Sequence, residues 1–235
     1  MSKINYEWQQ GDTPEAFDFE QEEKTALPTR KNLQLARRFF HMANGVVIAT
    51  LYHFSLTHQQ MIHLLGTIAC LLYVTEQIRI NYPEVAAKFL PMTKFIMRAE
   101  EQLKESAMIP YLIAVLLTII TFPKTIAIIA IFTLAIADPL SAIFGIKFGK
   151  NKIVPHKSVE GSIAFFVATF LVSTAVLINY FPDFTGIAIF ISILLAFLTS
   201  IFEMIPLRVD DNLTIPLFTS FILWILCASF GIPVF

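Results

Sequence analysis

The chain has 235 residues, 56% of them hydrophobic and 23 of them Phe, with a mean hydropathy of +0.66. Such a composition excludes an ordinary soluble domain and marks an integral membrane protein. The formal net charge of -1 points to no charged partner, and no nucleic-acid ligand is expected.

The near-neutral total hides segregation. Glu7, Asp12, Glu15, Asp18, Glu20, Glu22 and Glu23 form an acidic tail, and Lys24, Arg30, Lys31, Arg37 and Arg38 follow it. These first thirty residues are polar and lack an apolar core, which argues against a cleaved signal peptide. Residues 1–34 are therefore expected to be a cytoplasmic tail, and 35–235 a transmembrane domain. Uncharged stretches predict seven spans, at 39–57, 60–78, 107–122, 124–147, 159–181, 184–206 and 212–231. A span needs about 20 apolar residues, so the third is short. Between the second and third, Val85, Phe89, Met92, Ile96, Ala99 and Leu103 alternate four and three apart, with Lys88, Lys94, Arg98 and Lys104 elsewhere on the helix. Residues 84–105 read as a basic amphipathic helix in the interface or packed on the loops, bent at Pro91. The fold class is all-α, a polytopic membrane helix bundle with this extra interfacial helix.

Placing the amino terminus in the cytoplasm puts every Lys and Arg except Lys124 on the cytoplasmic side, as the positive-inside rule asks. Arg38, His41, Glu76, Lys150, Lys157, Glu160, Glu203, Asp210 and Asp211 then fall at one face. The Asn212-Leu213-Thr214 sequon also faces the cytosol and is expected to be unglycosylated. Cys70 and Cys227 lie in apolar stretches and say nothing of redox compartment.

Asp138 stands inside the fourth span, where an ionisable residue costs a few kcal/mol and marks a functional site by default. Pro139 follows it and frees a backbone carbonyl one turn earlier. A carboxylate beside such a carbonyl suits a hard cation such as Mg2+, which takes oxygen ligands and bridges phosphates. Ala137, Ser141, Gly145 and Gly149 recur every four residues and form a small-residue stripe, for which helix packing is the ordinary explanation. Lys147, Lys150, Lys152, His156 and Lys157 then crowd a short loop before Ser158, Glu160, Gly161 and Ser162. Ser158 reads as a helix cap, and the amides there with nearby lysines suit a polyphosphate. The stretch Gly145 to Asn151 is not a P-loop: it is one residue short, lacks the Ser or Thr after its Lys, and ends a helix instead of starting one. Glu203, Asp210, Asp211 and Asn212 add acceptors to the same face. Carboxylates near a Lys-rich phosphate seat are the inventory of metal-assisted phosphoryl transfer.

The block Asp138-Pro139-Leu140-Ser141-Ala142 through Gly145 and Gly149, then Lys157-Ser158-Val159-Glu160-Gly161-Ser162, then Asp211-Asn212-Leu213 with Pro216, resembles the CTP-dependent lipid-alcohol kinases. These are the dolichol and polyprenol kinases, phytol kinases and fungal-type diacylglycerol kinases, relatives of the CDP-diacylglycerol synthases. The resemblance spans about residues 35–231, with Arg37-Arg38 and His41 as a weaker match at the start of the first span. It implies transfer of the CTP gamma-phosphate to a membrane-lipid hydroxyl, with 35–235 as the catalytic domain. Asp138 would serve the metal and phosphates, with Asp211 as a second metal ligand. Ser141, Gly145, Gly149, Lys150 and Lys157 to Ser162 would hold the nucleotide, and Asn212 with Asp211 would complete the site. Glu203 and Asp211 are the candidates for receiving the hydroxyl proton. Nothing in composition distinguishes CTP from ATP.

Two rivals stand beside this reading. A phosphatidate cytidylyltransferase would use the same CTP, Mg2+ and lipid-facing cleft, but the chain lacks that family's Lys-Asp, His-Gly-Gly and Asp-Arg-x-Asp block. A small cation- or proton-coupled transporter with Asp138 as its ion site would need access from both faces, and the far face offers only Lys124 and Asp183.

Overall fold

The structure is a computed structural model and describes residues 38–82, 84, 108–154, 157–207 and 209–234. The acidic tail, and all but the first residue of the expected interfacial helix, lie outside them. The chain divides into two units, Met1–Arg38 and Phe39–Phe235, and the second holds the helical bundle.

Helices stand at all seven expected places. They are α1 (38–54), α2 (His58–Asn81), α3 (Met108–Thr121), α4 (Lys124–Phe132) continued by α5 (Asp138–Phe148), α6 (Val159–Tyr180), α7 (Thr185–Met204) and α8 (Asp211–Phe230). Among the described residues, five stretches are long and apolar enough to cross a membrane: His58–Asn81, Lys124–Phe148, Val159–Tyr180, Pro182–Met204 and Asp211–Phe230. The described part of α1 and the 14 residues of α3 fall below that length, so seven crossings reduce to five by this measure.

Local chemistry explains the boundaries. Thr57 and Gln60 close a capping box at the start of α2, the Thr57 hydroxyl accepting from the Gln60 N–H and the Gln60 side chain from the Thr57 N–H. Asp210 caps α8 by accepting from the Asn212 N–H at 2.9 Å, and Gly231 ends that helix in the left-handed region at φ 70°. Between α4 and α5 the fourth span widens into a π turn, Thr133–Ala137. That turn contains the Ala135 carbonyl, the one Pro139 cannot serve because it has no N–H.

This broken helix is the centre of the bundle. Every residue from Ile126 to Ile131 is fully buried, as expected of a helix apolar all round. Ala127, Ile128 and Ile131 join a cluster with Tyr52, Met61, Tyr111, Ile119 and Phe165, while Ile126 and Ile129 join another with Leu177, Ile191, Leu195 and Leu223. The outer helices expose Phe54, Leu71, Ile163, Leu171 and Phe197 by more than half, as a lipid-facing surface does. Glu76, expected among the cytoplasmic-face polar groups, is buried and ion-paired to Arg79 one turn on, at 2.6 Å. The expected loop between the fourth and fifth spans holds a small antiparallel hairpin, β1 (Lys152–Val154) with β2 (Lys157–Ser158), paired Lys152 to Ser158 and Val154 to Lys157.

Candidate functional site

Two clusters meet at the start of α6. The first is a seam between helix backbones. The small residues of α5 face Ser158 and Gly161 so closely that a methyl added at Gly161 would lie 2.7 Å from the Ser141 carbonyl oxygen, and one at Gly149 2.7 Å from the Ser158 Oγ. At Gly145 the same addition would lie 3.1 Å from that Oγ. The stripe therefore brings α5 against the first turn of α6, as small-residue stripes do. Ser158 caps α6, its Oγ accepting from the Gly161 N–H at 3.2 Å. The Ser141 hydroxyl donates to the Asp138 carbonyl at 3.1 Å, which ties the seam to the opening residue of α5.

The second cluster is polar. The Lys157 ammonium reaches the Glu203 carboxylate at 3.1 Å and the Asp211 carboxylate at 3.3 Å, and it donates to the Glu203 backbone carbonyl as well. The other oxygen of Glu203 accepts from the buried Ser162 hydroxyl at 3.4 Å. Glu203 is 6% exposed and is thus held through both carboxylate oxygens, whereas the Asp211 side chain is 42% exposed and makes one of these contacts. Burial pushes the Lys157 ammonium down, but the two carboxylates more than offset it and raise its pKa above the ordinary lysine value. Lys157 is therefore a charged tie between the hairpin, the end of α7 and the start of α8.

Around these clusters, Glu160 accepts from the Asn151 backbone and side-chain N–H groups at 3.3 and 3.4 Å, which fastens the α5–β1 turn to α6. Lys150 is exposed beside it, and Asn212 is partly exposed on α8. Asp138 is half-buried where the π turn gives way to α5. His41 packs its ring edge-on against Tyr111, centroids 5.2 Å apart, and Arg38 is the first described residue of α1. Among the described residues no group of three His, Cys, Asp or Glu converges to hold a metal. The sequence reading missed Asn151 as the partner of Glu160. It also missed Tyr111, whose signal is a lone phenol in the aliphatic run of Ile109–Thr121.

The geometry places a closely packed helix junction, a helix cap and an ion-paired lysine together, with the Asp211 carboxylate partly open to solvent beside them. The chain is 24% identical over 207 residues, 80% of its length and 71% of the relative's, to the CTP-dependent diacylglycerol kinase 1 of Saccharomyces cerevisiae. An uncharacterized protein of Methanocaldococcus jannaschii is 29% identical over 198 residues, covering 81% of this chain and 92% of the relative. One of Rickettsia prowazekii is 37% identical over 101 residues, 43% of this chain and 48% of the relative. No solved structure matches. The resemblance carried by the block from Asp138 to Ser162 is borne out. A model described as the cytidylyltransferase family matches residues 19–205, and the chain belongs to that family.

Proposed function

We propose that the chain is a CTP-dependent kinase that phosphorylates the hydroxyl of a membrane lipid, diacylglycerol or a polyprenol-, dolichol- or phytol-type alcohol. The likeness to a CTP-dependent diacylglycerol kinase over most of both chains supports the donor and the acceptor class. The observation that carries the chemistry is Lys157 set between Glu203 and Asp211 at the start of α6. In the step, the lipid oxygen bonds to the gamma-phosphorus, the bond from that phosphorus to the bridging oxygen breaks, and CDP leaves. The hydroxyl proton passes to a carboxylate. Asp211 is the better acceptor of the two candidates, because Glu203 is tied at both oxygens while Asp211 is open to approach. Glu203 instead positions Lys157, whose fixed charge would face the phosphates, and the exposed Lys150 adds a second.

Asp138 and Asp211 are the carboxylates that would hold Mg2+, with phosphate and water as its other ligands, and the ion would neutralise phosphate charge. Residues Ser141, Gly145, Gly149, Ser158, Gly161 and Ser162 bring the two helix ends together where the phosphates sit, and Glu160 and Asn212 border that seat. Arg38 and His41 stand at the start of α1. The distribution of lysines and arginines supports a bundle with its amino terminus and its site at the cytoplasmic face, and a count of seven crossings requires α1 and the short α3 to span as well.

The family's description favours a second reading, cytidylyl transfer to phosphatidate. The two differ in which bond of CTP breaks. With purified protein in micelles holding diacylglycerol and phosphatidate, label at the gamma position enters lipid under the kinase reading. Label at the alpha position enters lipid, with release of pyrophosphate, under the other. Gamma label in no lipid would end the kinase reading.

A further inference from the structure

Tyr111 is 4% exposed, and its hydroxyl has no hydrogen-bond partner among the described residues. An unpaired buried hydroxyl carries its full desolvation cost and calls for an explanation. Thr133, Thr169, Ser192, Thr219 and Ser220 are also buried without partners, but a Ser or Thr hydroxyl can turn back to the carbonyl of its own helix one turn earlier. A phenol stands too far from its own backbone to do so. Space for it has nonetheless been left. A methyl added at Gly45 of α1 would lie 2.5 Å from the Tyr111 hydroxyl and 2.5 Å from the Ala135 side chain, so only a glycine lets the phenol reach the π turn. Ala135 precedes Asp138 by three residues along the π turn. The His41 ring, against the Tyr111 ring at 61°, covers the same side of α1 one turn before Gly45.

We infer that the Tyr111 phenol is a ligand of the acceptor alcohol, its O–H donating to the oxygen of the lipid hydroxyl as that hydroxyl comes beside Asp138. The inference rests on the kinase reading and names a residue that holds its substrate. The surroundings suit an alcohol: Leu112, Val115, Leu134 and Ala135 are buried on the elements that meet the phenol, and the cationic side chains of α1, His41 and Arg38, stand one and two turns before Gly45. The lysines stand at the α5–α6 junction instead. A neutral hydroxyl on an apolar chain, arriving from the bilayer, meets both requirements.

The test is Tyr111→Phe in the full chain, which keeps the ring and removes only the hydroxyl, assayed in mixed micelles of diacylglycerol. The expected result is a fall of about tenfold in kcat/KM for diacylglycerol, as for one lost hydrogen bond, with KM for CTP unchanged and a thermal midpoint equal to or above wild type. An unchanged kcat/KM for diacylglycerol overturns the inference, and so does a fall accompanied by a lowered midpoint, since either leaves the phenol a scaffold group. Direct binding of diacylglycerol separates this from the kinase reading. If wild type binds it without transferring phosphate, and Tyr111→Phe binds it tenfold more weakly, the contact stands and the kinase reading falls. Equal binding by both chains overturns the contact.

Discussion

Replacing Lys157 by Met removes an ammonium and keeps a side chain of similar length. Glu203 is 6% exposed and Lys157 18% exposed at the side chain, so the substitution strands a carboxylate whose remaining side-chain contact is Ser162 at 3.4 Å. Breaking a fully buried ion pair costs about 3–5 kcal/mol because the survivor is left uncompensated. Lys157 retains some water contact and Asp211 is 42% exposed, so the cost here is expected below that range, roughly 2–3 kcal/mol. Adding Glu203→Gln removes the stranded charge, and the double variant should recover at least half of that loss, a coupling of roughly 1–2 kcal/mol across the cycle. Reversible denaturant unfolding in detergent measures all four corners. Activity should follow a different course: Lys157→Met loses transfer, and the double variant, though restabilised, stays inactive. A single variant as stable as wild type, or a double variant less stable than the single one, would refute the tie between hairpin, α7 and α8.

The glycine seam makes a contrast within one residue type. Gly161→Ala, with its methyl 2.7 Å from a backbone oxygen, should destabilise by about 1–3 kcal/mol. Gly186→Ala, with nothing within 4 Å on α7, should be neutral or stabilise by up to about 1 kcal/mol. Thermal unfolding of the two variants checks both signs. The raised pKa of Lys157 fixes a pH window: its contribution to stability is fully present below the ordinary value of 10.5 and is lost as pH rises through the higher folded value. Stability that declines between pH 7 and 9 in wild type but not in Lys157→Met would contradict this. Chelation of divalent cations should abolish transfer and added Mg2+ restore it, measured as label entering lipid.

Element placement was legible because each signal is local. Ser158 before the fifth span is a cap legible within four residues, and it begins a helix in the structure, as do Thr57 with Gln60 and Asp210, whose capping the structure shows. The stripe of Ser141, Gly145 and Gly149 announced close packing. Its partner, the Ser158 to Gly161 turn, follows only once the intervening residues fold back as a hairpin too short to show alternation. The Lys157 contacts were illegible for a different reason. They join residues 46 and 54 positions apart, and a lone lysine in a basic loop carries no mark of which carboxylate it will find. Glu203 drew notice as a charge in an apolar run, but its partners Lys157 and Ser162, 46 and 41 positions away, could not be read from that run. Pro139 correctly implied a disturbed helix, while the form of the disturbance, a π turn, depends on how neighbouring helices pack. Gly45 belongs to no motif, and only the approach of Tyr111 and Ala135 gives it a purpose.

The most direct measurement is transfer from gamma-labelled CTP to diacylglycerol by wild type and by Asp138→Asn, side by side in micelles with Mg2+, with the fold of both checked by thermal unfolding. The account predicts labelled phosphatidate from wild type, and none from a variant that is equally well folded. Undiminished transfer by Asp138→Asn would remove Asp138 from the site, and no labelled lipid from wild type with any alcohol acceptor would contradict the kinase account itself.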